Sequence, residues 1–278
     1  MSVDFAREIE VATRLAHEAG EILLEVYETD FEVIDKPEGG GPVTIADERA
    51  NELIVSGLRA AFPTDGIVAE ESIDNSDPAR VERCWFVDPL DGTKEFVQHT
   101  GDFAVHIGLA VGGEAVAGVV YQPVQDRLFA GIIGVGCELI EAGARRPLHL
   151  PSAPADPLRL VVSRAHRSPR VLEISERLSI EEVEHRGSVG LKCGIVALGE
   201  ADLYVHASRL SYRWDACAPE AIVRAAGGFF GSMAGQPYRY DGDELQNVRG
   251  ILACHPAALP RVLPVIEAVA RDAGRPLR

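Results

Sequence analysis

Two aspartates, Asp88 and Asp91, follow a strongly apolar run within the segment WFVDPLDGTKEF, residues 85–96. Two like charges so close together raise the free energy of a fold unless something positive lies between them. Other acidic residues stand where an apolar run ends or where a helix is expected to begin, namely Asp47, Glu70 and Asp215. These side chains are hard oxygen donors, so the ion that they favour is Mg²⁺, or else Mn²⁺, rather than zinc.

A metal held by several carboxylates and by substrate oxygens is the usual apparatus for displacement at phosphorus. Gly92 and Thr93 stand at an expected helix start, where free backbone N–H groups can hold a phosphate. Taken singly, each acid also has a structural interpretation, such as a helix cap at Asp215 or a turn at Asp88. Because apolar runs end in carboxylates repeatedly, the sequence favours metal-dependent phosphate chemistry over these separate interpretations.

One competing motif is the D-x-D-G-T loop of haloacid-dehalogenase-type phosphatases, in which the first aspartate is the nucleophile. The aspartates of that loop are two residues apart, whereas Asp88 and Asp91 are three apart. Pro89 directly follows Asp88 and would alter the conformation of such a loop. The spacing therefore disfavours a nucleophilic Asp88.

The chain has 278 residues, which is enough for one large domain or two smaller ones, and 46% of them are hydrophobic. A net charge of −16 argues against a protein that binds nucleic acid through its phosphates. The acidic start, MSVDFAREIE, is unlike a signal peptide, and no apolar run is long enough to predict a membrane span. Five scattered cysteines without a C-x-x-C pair predict buried free thiols, and we expect a cytoplasmic protein.

The elements that position the acids can be predicted from hydrophobic periodicity. Helical spacing covers residues 3–27 and 44–61. Short apolar runs at 66–69 and 84–87 predict strands that end at the acids. An alternating pattern over 104–141 predicts an antiparallel meander of strands.

The proline-rich stretch 144–157 is the expected domain boundary. It would separate an N-terminal α+β metal-binding domain, residues 1–146, from a C-terminal α/β domain, residues 147–278, that completes the active site. In the second domain we expect strands at 158–163 and 203–206 and helices at 168–178, 190–199, 216–226 and 256–273.

Four sequence blocks carry a resemblance to a known family. They are PVTIAD (42–47), VAEES (68–72), DPLDGT (88–93) and WDACAPEAIVRAAGG (214–228). In this order and spacing they resemble the lithium-sensitive, Mg²⁺-dependent phosphatase superfamily of inositol monophosphatases. The resemblance implies an α/β (α+β) fold, a layered αβαβα sandwich of the inositol monophosphatase/fructose-bisphosphatase type. It also implies an active site between the two halves and a homodimer as one expected assembly.

The resemblance further implies two or three bound Mg²⁺ ions, with Mn²⁺ as a substitute. The implied ligands are Glu70, Asp88 and the Leu90 carbonyl for one ion, Asp88, Asp91 and Asp215 for a second, and Glu70 with waters for a third. The family's water-activating pair corresponds to Thr93 and Asp47. The implied chemistry is direct attack of metal-bound water on a phosphate ester without a phosphoenzyme, with Asp47 taking the proton through Thr93.

The residues after Asp91 bear on the substrate. Inositol monophosphatases usually have D-G-T-T-N-F here, whereas D-G-T-K-E-F at 91–96 resembles the 3'(2'),5'-bisphosphate nucleotidases, which convert 3'-phosphoadenosine 5'-phosphate to AMP. Inositol-specific members also carry a glutamate that binds ring hydroxyls before the W-D block, and His206 takes that position here. The residues expected to contact substrate are Gly92, Thr93, Lys94, Ser163, Arg164, His166, Ser188, Lys192, Arg209, Arg213 and Asp215. The histidines without a carboxylate-rich sequence context, expected to be structural, are His17, His99, His106 and His185.

Three hypotheses stay open at this point. The first is Mg²⁺-dependent hydrolysis of the 3'-phosphate of adenosine 3',5'-bisphosphate. The second keeps the chemistry and takes inositol phosphate, histidinol phosphate or fructose 1,6-bisphosphate as the substrate. The third is a scaffold or sensor without turnover, which the intact set of acids disfavours. Two departures from the family pattern, the glycines at 39–41 and Pro219 in the helix after Asp215, leave the nucleotide preference open.

Overall fold

The computed structural model describes residues 4–35, 42–72, 76–164, 168–274 and 277, so the glycines at 39–41 and His166 lie outside the described residues. The described residues form seven helices: α1 Ala6–Tyr27, α2 Ile45–Ala61, α3 Thr93–Val97, α4 Pro169–Leu178, α5 Val189–Ala197, α6 Arg213–Ala225 and α7 Leu259–Asp272. They also form fourteen strands: β1 Val33–Asp35, β2 Pro42–Thr44, β3 Gly66–Ala69, β4 Arg83–Asp91, β5 Ala104–Val111, β6 Glu114–Gln122, β7 Arg127–Ile132, β8 Gly136–Glu141, β9 Ala144–Leu148, β10 Arg159–Ser163, β11 Glu181–Arg186, β12 Leu203–His206, β13 Phe229–Gly231 and β14 Ile251–Cys254.

These elements stack in five layers. Helices α1 and α2 pack together on one face of a seven-stranded sheet of order β3-β4-β5-β6-β7-β8-β9, and α5 and α6 pack on its other face. A five-stranded sheet of order β11-β10-β12-β14-β13 lies beyond α5 and α6, and α4 and α7 cover its outer face. The αβαβα sandwich predicted from the sequence is therefore confirmed.

Strand β4 carries the two central aspartates into the interior. It pairs in parallel with β3 and antiparallel with β5, and the pairing with β5 is interrupted between Asp88 and Asp91. The interruption contains Pro89, which has no N–H to give to a ladder and is tolerated at such an irregularity. The strand expected at 84–87 thus extends to Asp91, because β5 resumes pairing beyond the interruption.

Two helix starts place acids at the site. Helix α2 begins as predicted, with Thr44 as its N-cap and Asp47 completing a capping box. Helix α6 begins at Arg213, three residues before its predicted start, so Asp215 lies inside the first turn. There the Asp215 carboxylate accepts a hydrogen bond from the Tyr212 backbone N–H. This hydrogen bond stabilises the start of the helix, which is the role of a helix cap that the sequence analysis considered for Asp215.

Several short strands were absent from the sequence prediction. Strand β9 occupies the start of the stretch expected to be a boundary, where it pairs with β8 and becomes the seventh strand of the first sheet. The others are β1, β2, β11, β13 and β14. The division at residue 146 stays a prediction, although β9 continues past it to Leu148.

All five cysteines are buried and free, as the sequence predicted. Burial raises the pKa of Cys84, Cys137 and Cys254 to about 12, so these thiols stay protonated at neutral pH. None of the helices in the described part of the chain combines the length and the apolar character needed to cross a bilayer.

Candidate active site and metal centre

Three carboxylates that are distant in sequence meet at one point. The ligand atoms of Asp88, Asp91 and Asp215 all lie within 4.8 Å of one another. Strand β4 supplies the first two, and the first turn of α6, which packs against β4, β5 and β6, supplies the third. The Asp88 side chain is only 1% exposed, and its Oδ1 accepts a hydrogen bond from the Leu90 N–H at 2.9 Å.

The carboxylates of this cluster repel one another, and a bound cation would stabilise them. Burial raises the pKa of Asp88 well above its usual range, and the neighbouring carboxylates raise it further. Burial also raises the pKa of Asp215, and the negative charges of Asp91 and Glu70 raise it further. Three carboxylates with oxygen donors at this spacing fit Mg²⁺ or Mn²⁺, which would satisfy the charge that the fold gathers here. The metal dependence that is general in the family thus has a matching acidic cluster in this chain.

Glu70 and Leu90, the other predicted ligands, flank the cluster. Glu70 directly follows β3, its N–H donates to the Val87 carbonyl at 3.1 Å, and it lines the same cleft as Asp91 and Asp215. The Leu90 side chain is buried, and its carbonyl lies 3.2 Å from the Thr93 hydroxyl. Both residues lie close to the cluster, and their roles as ligands stay predictions.

Thr93 and Asp47 form the second part of the site. The Thr93 Oγ lies 3.3 Å from Asp47 Oδ1. The other carboxylate oxygen, Oδ2, accepts hydrogen bonds from the Thr44 N–H at 2.8 Å and from the Thr44 hydroxyl at 2.7 Å. The helix cap therefore fixes one oxygen of Asp47 and directs the other to Thr93, so the pair predicted from the sequence is in hydrogen-bonding contact.

A cleft opens over these groups. Seven of the predicted substrate contacts line it, together with Glu70 and Asp91: Gly92, Thr93, Lys94, Ser163, Ser188, Lys192 and Asp215. His206 also lines it, at the position where inositol-specific relatives are expected to carry a glutamate. The lining residues that sequence reasoning missed include Pro42, Glu95, Leu210 and Ser211, although Glu95 belongs to the motif that carried the substrate hypothesis.

Lys192 and Glu95 are buried charged groups at the edge of the cleft. Lys192 is 4% exposed, its Nζ donates to the Gly187 carbonyl, and it lies 5.3 Å from the centre of the Tyr204 ring. Burial lowers the pKa of Lys192, although Asp91 and Glu95 favour its charged form. Burial raises the pKa of Glu95, because it disfavours the charged carboxylate, although a hydrogen bond from its own backbone and the charge of Lys192 act to lower it. A bound anion would favour the charged form of this lysine.

The predicted arginine contacts lie elsewhere. Arg164 donates from Nε to the buried Asp102 at 2.7 Å, and Arg186 binds the other oxygen of Asp102 at 3.0 Å. Arg213 stacks 4.6 Å from the centre of the Tyr238 ring. Arg164 and Arg213 are thus held by protein groups and are absent from the described lining of the cleft.

Of the remaining predicted contacts, Arg209 is exposed on the loop before α6, and His166 lies outside the described residues. Asp215 lines the cleft as well as joining the carboxylate cluster.

His106, expected to be structural because its sequence context lacks carboxylates, is brought next to one by the fold. Strand pairing places His106 of β5 directly opposite Asp88, and its Nε2 lies 3.2 Å from Asp91 Oδ2 and 3.2 Å from the Ser188 hydroxyl. The sequence contained no signal for this contact, because the segment 92–103 between β4 and β5 leaves their register undetermined.

Comparison with known proteins agrees with this geometry. The family model described as the inositol monophosphatase family matches residues 4–271, and the chain belongs to that family. The chain is 34% identical over 230 residues to the Escherichia coli K12 protein named 3'(2'),5'-bisphosphate nucleotidase CysQ, covering 82% of this chain and 91% of that one. It is 35% identical over 243 residues to the Mycobacterium leprae protein named 3'-phosphoadenosine 5'-phosphate phosphatase, with 83% of each chain covered. The crystal structure of CysQ from Bacteroides thetaiotaomicron superposes with a TM-score of 0.76 at 29% identity, over 90% of this chain and 98% of that one.

Proposed function

We propose that this protein is a Mg²⁺-dependent phosphomonoesterase that hydrolyses the 3'-phosphate of adenosine 3',5'-bisphosphate, also called 3'-phosphoadenosine 5'-phosphate, to give AMP and phosphate. The observation that carries the proposal is the meeting of Asp88, Asp91 and Asp215 within 4.8 Å beside the Thr93–Asp47 pair. Relatives at 34–35% identity whose names state this substrate class support the choice of ester.

Bound Mg²⁺ would lower the pKa of a water and neutralise the negative charge of the phosphate. The protein's own part is to accept the proton that the water loses. The Thr93 hydroxyl can take a proton on Oγ while it passes its own hydrogen to Asp47 Oδ1, 3.3 Å away. Asp47 Oδ2 accepts the two hydrogen bonds from Thr44, and Oδ1 is the oxygen next to the Thr93 hydroxyl.

Substrate recognition is proposed to use the cations of the cleft. Lys94 and Lys192 line the cleft, and their ammonium groups would attract the additional negative charge of a substrate that carries a second phosphate. His206 in place of an acidic residue removes the ring-hydroxyl acceptor expected for inositol phosphate. The proposal also assigns residues 1–146 to metal and water activation and residues 147–278 to completing the site, since Asp215, Ser188 and Lys192 come from the second part.

The test is phosphate release by protein stripped with EDTA and then supplied with Mg²⁺ or Mn²⁺. The substrates are adenosine 3',5'-bisphosphate, inositol 1-phosphate, histidinol phosphate and fructose 1,6-bisphosphate, compared by kcat/KM. We expect the nucleotide to be preferred. A higher kcat/KM on another ester would reject the substrate and keep the chemistry, and no release from any of them would reject the proposal.

Thr93→Ala should lower kcat by about 10²–10⁴-fold, because it removes the group that hands the proton to Asp47. Thr29→Ala is a matched control, since the Thr29 hydroxyl also donates to a backbone carbonyl, that of Val26 at 2.8 Å, and it is not among the residues that line the cleft. A similar loss in both variants would remove Thr93 from the mechanism.

A further inference from the structure

The donors around Asp91 all converge on one of its two oxygens. Oδ2 accepts from the Ser188 hydroxyl at 2.6 Å, from the Val189 N–H and from the Gly190 N–H at 3.3 Å. His106 Nε2 lies 3.2 Å from the same oxygen. Among the residues that the structure describes, none donates to Oδ1. The carboxylate is therefore held through Oδ2, whereas Oδ1 accepts no hydrogen bond from the described residues.

We infer that His106 is a positioning residue for Asp91, which with the first turn of α5 fixes the carboxylate so that Oδ1 is left for the cation. The inference rests on the proposed function, because it gives His106 a role through a proposed metal ligand. Hydrogen bonds that orient a ligating group contribute strongly to metal affinity.

The direction of the hydrogen bond follows from the chemistry of the partner. The Ser188 hydroxyl gives its hydrogen to the ionised Asp91 carboxylate, so Nε2 of His106 is the donor to Ser188 Oγ, and its contact with Asp91 at 3.2 Å is electrostatic. His106 is fully buried on β5, and its Nδ1 has no hydrogen-bond partner among the described residues, so its polar anchoring comes from Nε2. The Ser188 hydroxyl, 3.2 Å from Nε2, gives its own hydrogen to Asp91 and can accept from the ring. The His106 ring, the Ser188 hydroxyl and the Asp91 carboxylate thus each contact the other two.

The packing of α5 is adapted to the His106 ring. A Cβ at Gly190 would lie 2.2 Å from His106 Nε2, so a larger residue there would push the ring or the helix away. Asp91 in turn satisfies N–H groups at the start of α5, where a negative charge is favourable. Because α5 comes from a distant part of the chain, the orientation of Asp91 depends on how α5 docks against the first sheet.

The experiment compares His106→Leu with His106→Gln by calorimetric titration of Mg²⁺ into EDTA-stripped protein. Gln can place an N–H donor near the position of Nε2, whereas Leu fills the space without a donor. We expect His106→Leu to weaken Mg²⁺ binding by about 10–100-fold and His106→Gln to bind within a few-fold of wild type. At saturating Mg²⁺ the kcat of His106→Leu should recover, since the change acts on affinity. His17→Leu is the control: His17 lies 2.8 Å from the Thr13 carbonyl and is not in contact with the carboxylate cluster.

Unchanged Mg²⁺ affinity in His106→Leu, or an equal loss in Leu and Gln, overturns the inference while the proposed function stands. If wild-type protein binds no Mg²⁺, both the proposed function and the inference about His106 are rejected. Should His106→Leu not fold, as judged by circular dichroism, Ser188→Ala provides the second test. It removes the hydroxyl that links His106 to Oδ2 of Asp91, so Mg²⁺ affinity is expected to fall about tenfold or more, and an unchanged affinity would overturn the inference.

Discussion

Replacing Asp88 by asparagine should make the metal-free protein more stable and the Mg²⁺-loaded protein less stable than wild type. Asparagine has nearly the same shape, and its Oδ1 can keep the hydrogen bond from the Leu90 N–H at 2.9 Å. What it removes is a negative charge whose oxygen lies within 4.8 Å of those of Asp91 and Asp215. The effect on the free energy of unfolding is therefore electrostatic.

The size of the effect can be estimated. At about 4.8 Å and an effective dielectric constant of about 20, each fully ionised pair repels by roughly 3.5 kcal/mol, so the two pairs that involve Asp88 give a repulsion of roughly 7 kcal/mol when all three carboxylates are ionised. Uptake of a proton by the cluster relieves much of this repulsion, and we expect a net gain of about 1–3 kcal/mol at pH 8. At about 2–4 °C per kcal/mol, the Tm in EDTA should rise by roughly 2–12 °C.

The assay is thermal unfolding followed by circular dichroism, in EDTA and at several Mg²⁺ concentrations. Wild type should gain about 2.7 kcal/mol when Mg²⁺ reaches a hundred times its Kd, and Asp88→Asn should gain much less, so the order of the two Tm values reverses. Activity should be lost in the variant. An Asp88→Asn protein that melts at or below the wild-type Tm in EDTA would show that these carboxylates do not repel one another, and the argument for a cation would fail.

Asp65→Asn is the matched control, because the Asp65 carboxylate is also largely shielded from solvent, with its side chain 4% exposed, but has a cationic partner. Its oxygens accept from Arg83 Nε at 3.0 Å and from Trp85 Nε1 at 2.9 Å. Loss of this charge should lower the stability by about 1–3 kcal/mol, equally with and without Mg²⁺. The same substitution would thus have opposite signs at the two sites.

Three further predictions concern the rest of the fold and the ions. Burial opposes ionisation of Asp202, but hydrogen bonds from Arg159 and from backbone N–H groups outweigh it and lower the pKa of Asp202. This stabilisation is present above the ordinary carboxyl pKa of about 4 and lost as pH falls through the lower folded-state pKa, so urea unfolding should show an Asp202→Asn deficit of about 1–3 kcal/mol at pH 7 that shrinks below pH 4. A deficit independent of pH would contradict this. Gly108→Ala should cost about 1–3 kcal/mol in the same assay, since its Cβ would lie 2.5 Å from the Ala218 nitrogen of α6, whereas Gly242→Ala, with open space, should cost little; equal costs would contradict the packing argument. Li⁺ should inhibit phosphate release, as the family resemblance implies, and a rate that Li⁺ leaves unchanged would count against the second metal position.

Much of the site was predictable because its residues lie in local patterns. Hydrophobic periodicity predicted a helix over 44–61, and in the structure α2 begins there with a Thr44–Asp47 capping box formed by two residues three apart. Strand β3 ends at Ala69, directly before Glu70, as the apolar run indicated, and β4 carries Asp88 and Asp91. In these segments hydrophobic periodicity and local hydrogen bonding agree with the tertiary structure.

The missed strands lack such local signals. Strand β11 has the sequence EEVEHR, five of whose six residues are charged or histidine, and it lies at the edge of its sheet with its first three residues exposed. Its extended conformation is stabilised by parallel pairing with β10. Strands β1 and β13 are only three residues long, too short for a periodic pattern.

The sequence by itself determined the family blocks, the choice of hard oxygen ligands and most of the helices, because these depend on residue type and short spacing. The tertiary structure alone decided which charges meet. It placed His106 and the start of α5 on Asp91, and it paired Arg164 with Asp102 and stacked Arg213 on Tyr238. Contacts of this kind join residues separated by as many as 99 positions, and their geometry depends on strand register and helix docking. Both are set by the packing of the whole core, which no local pattern encodes.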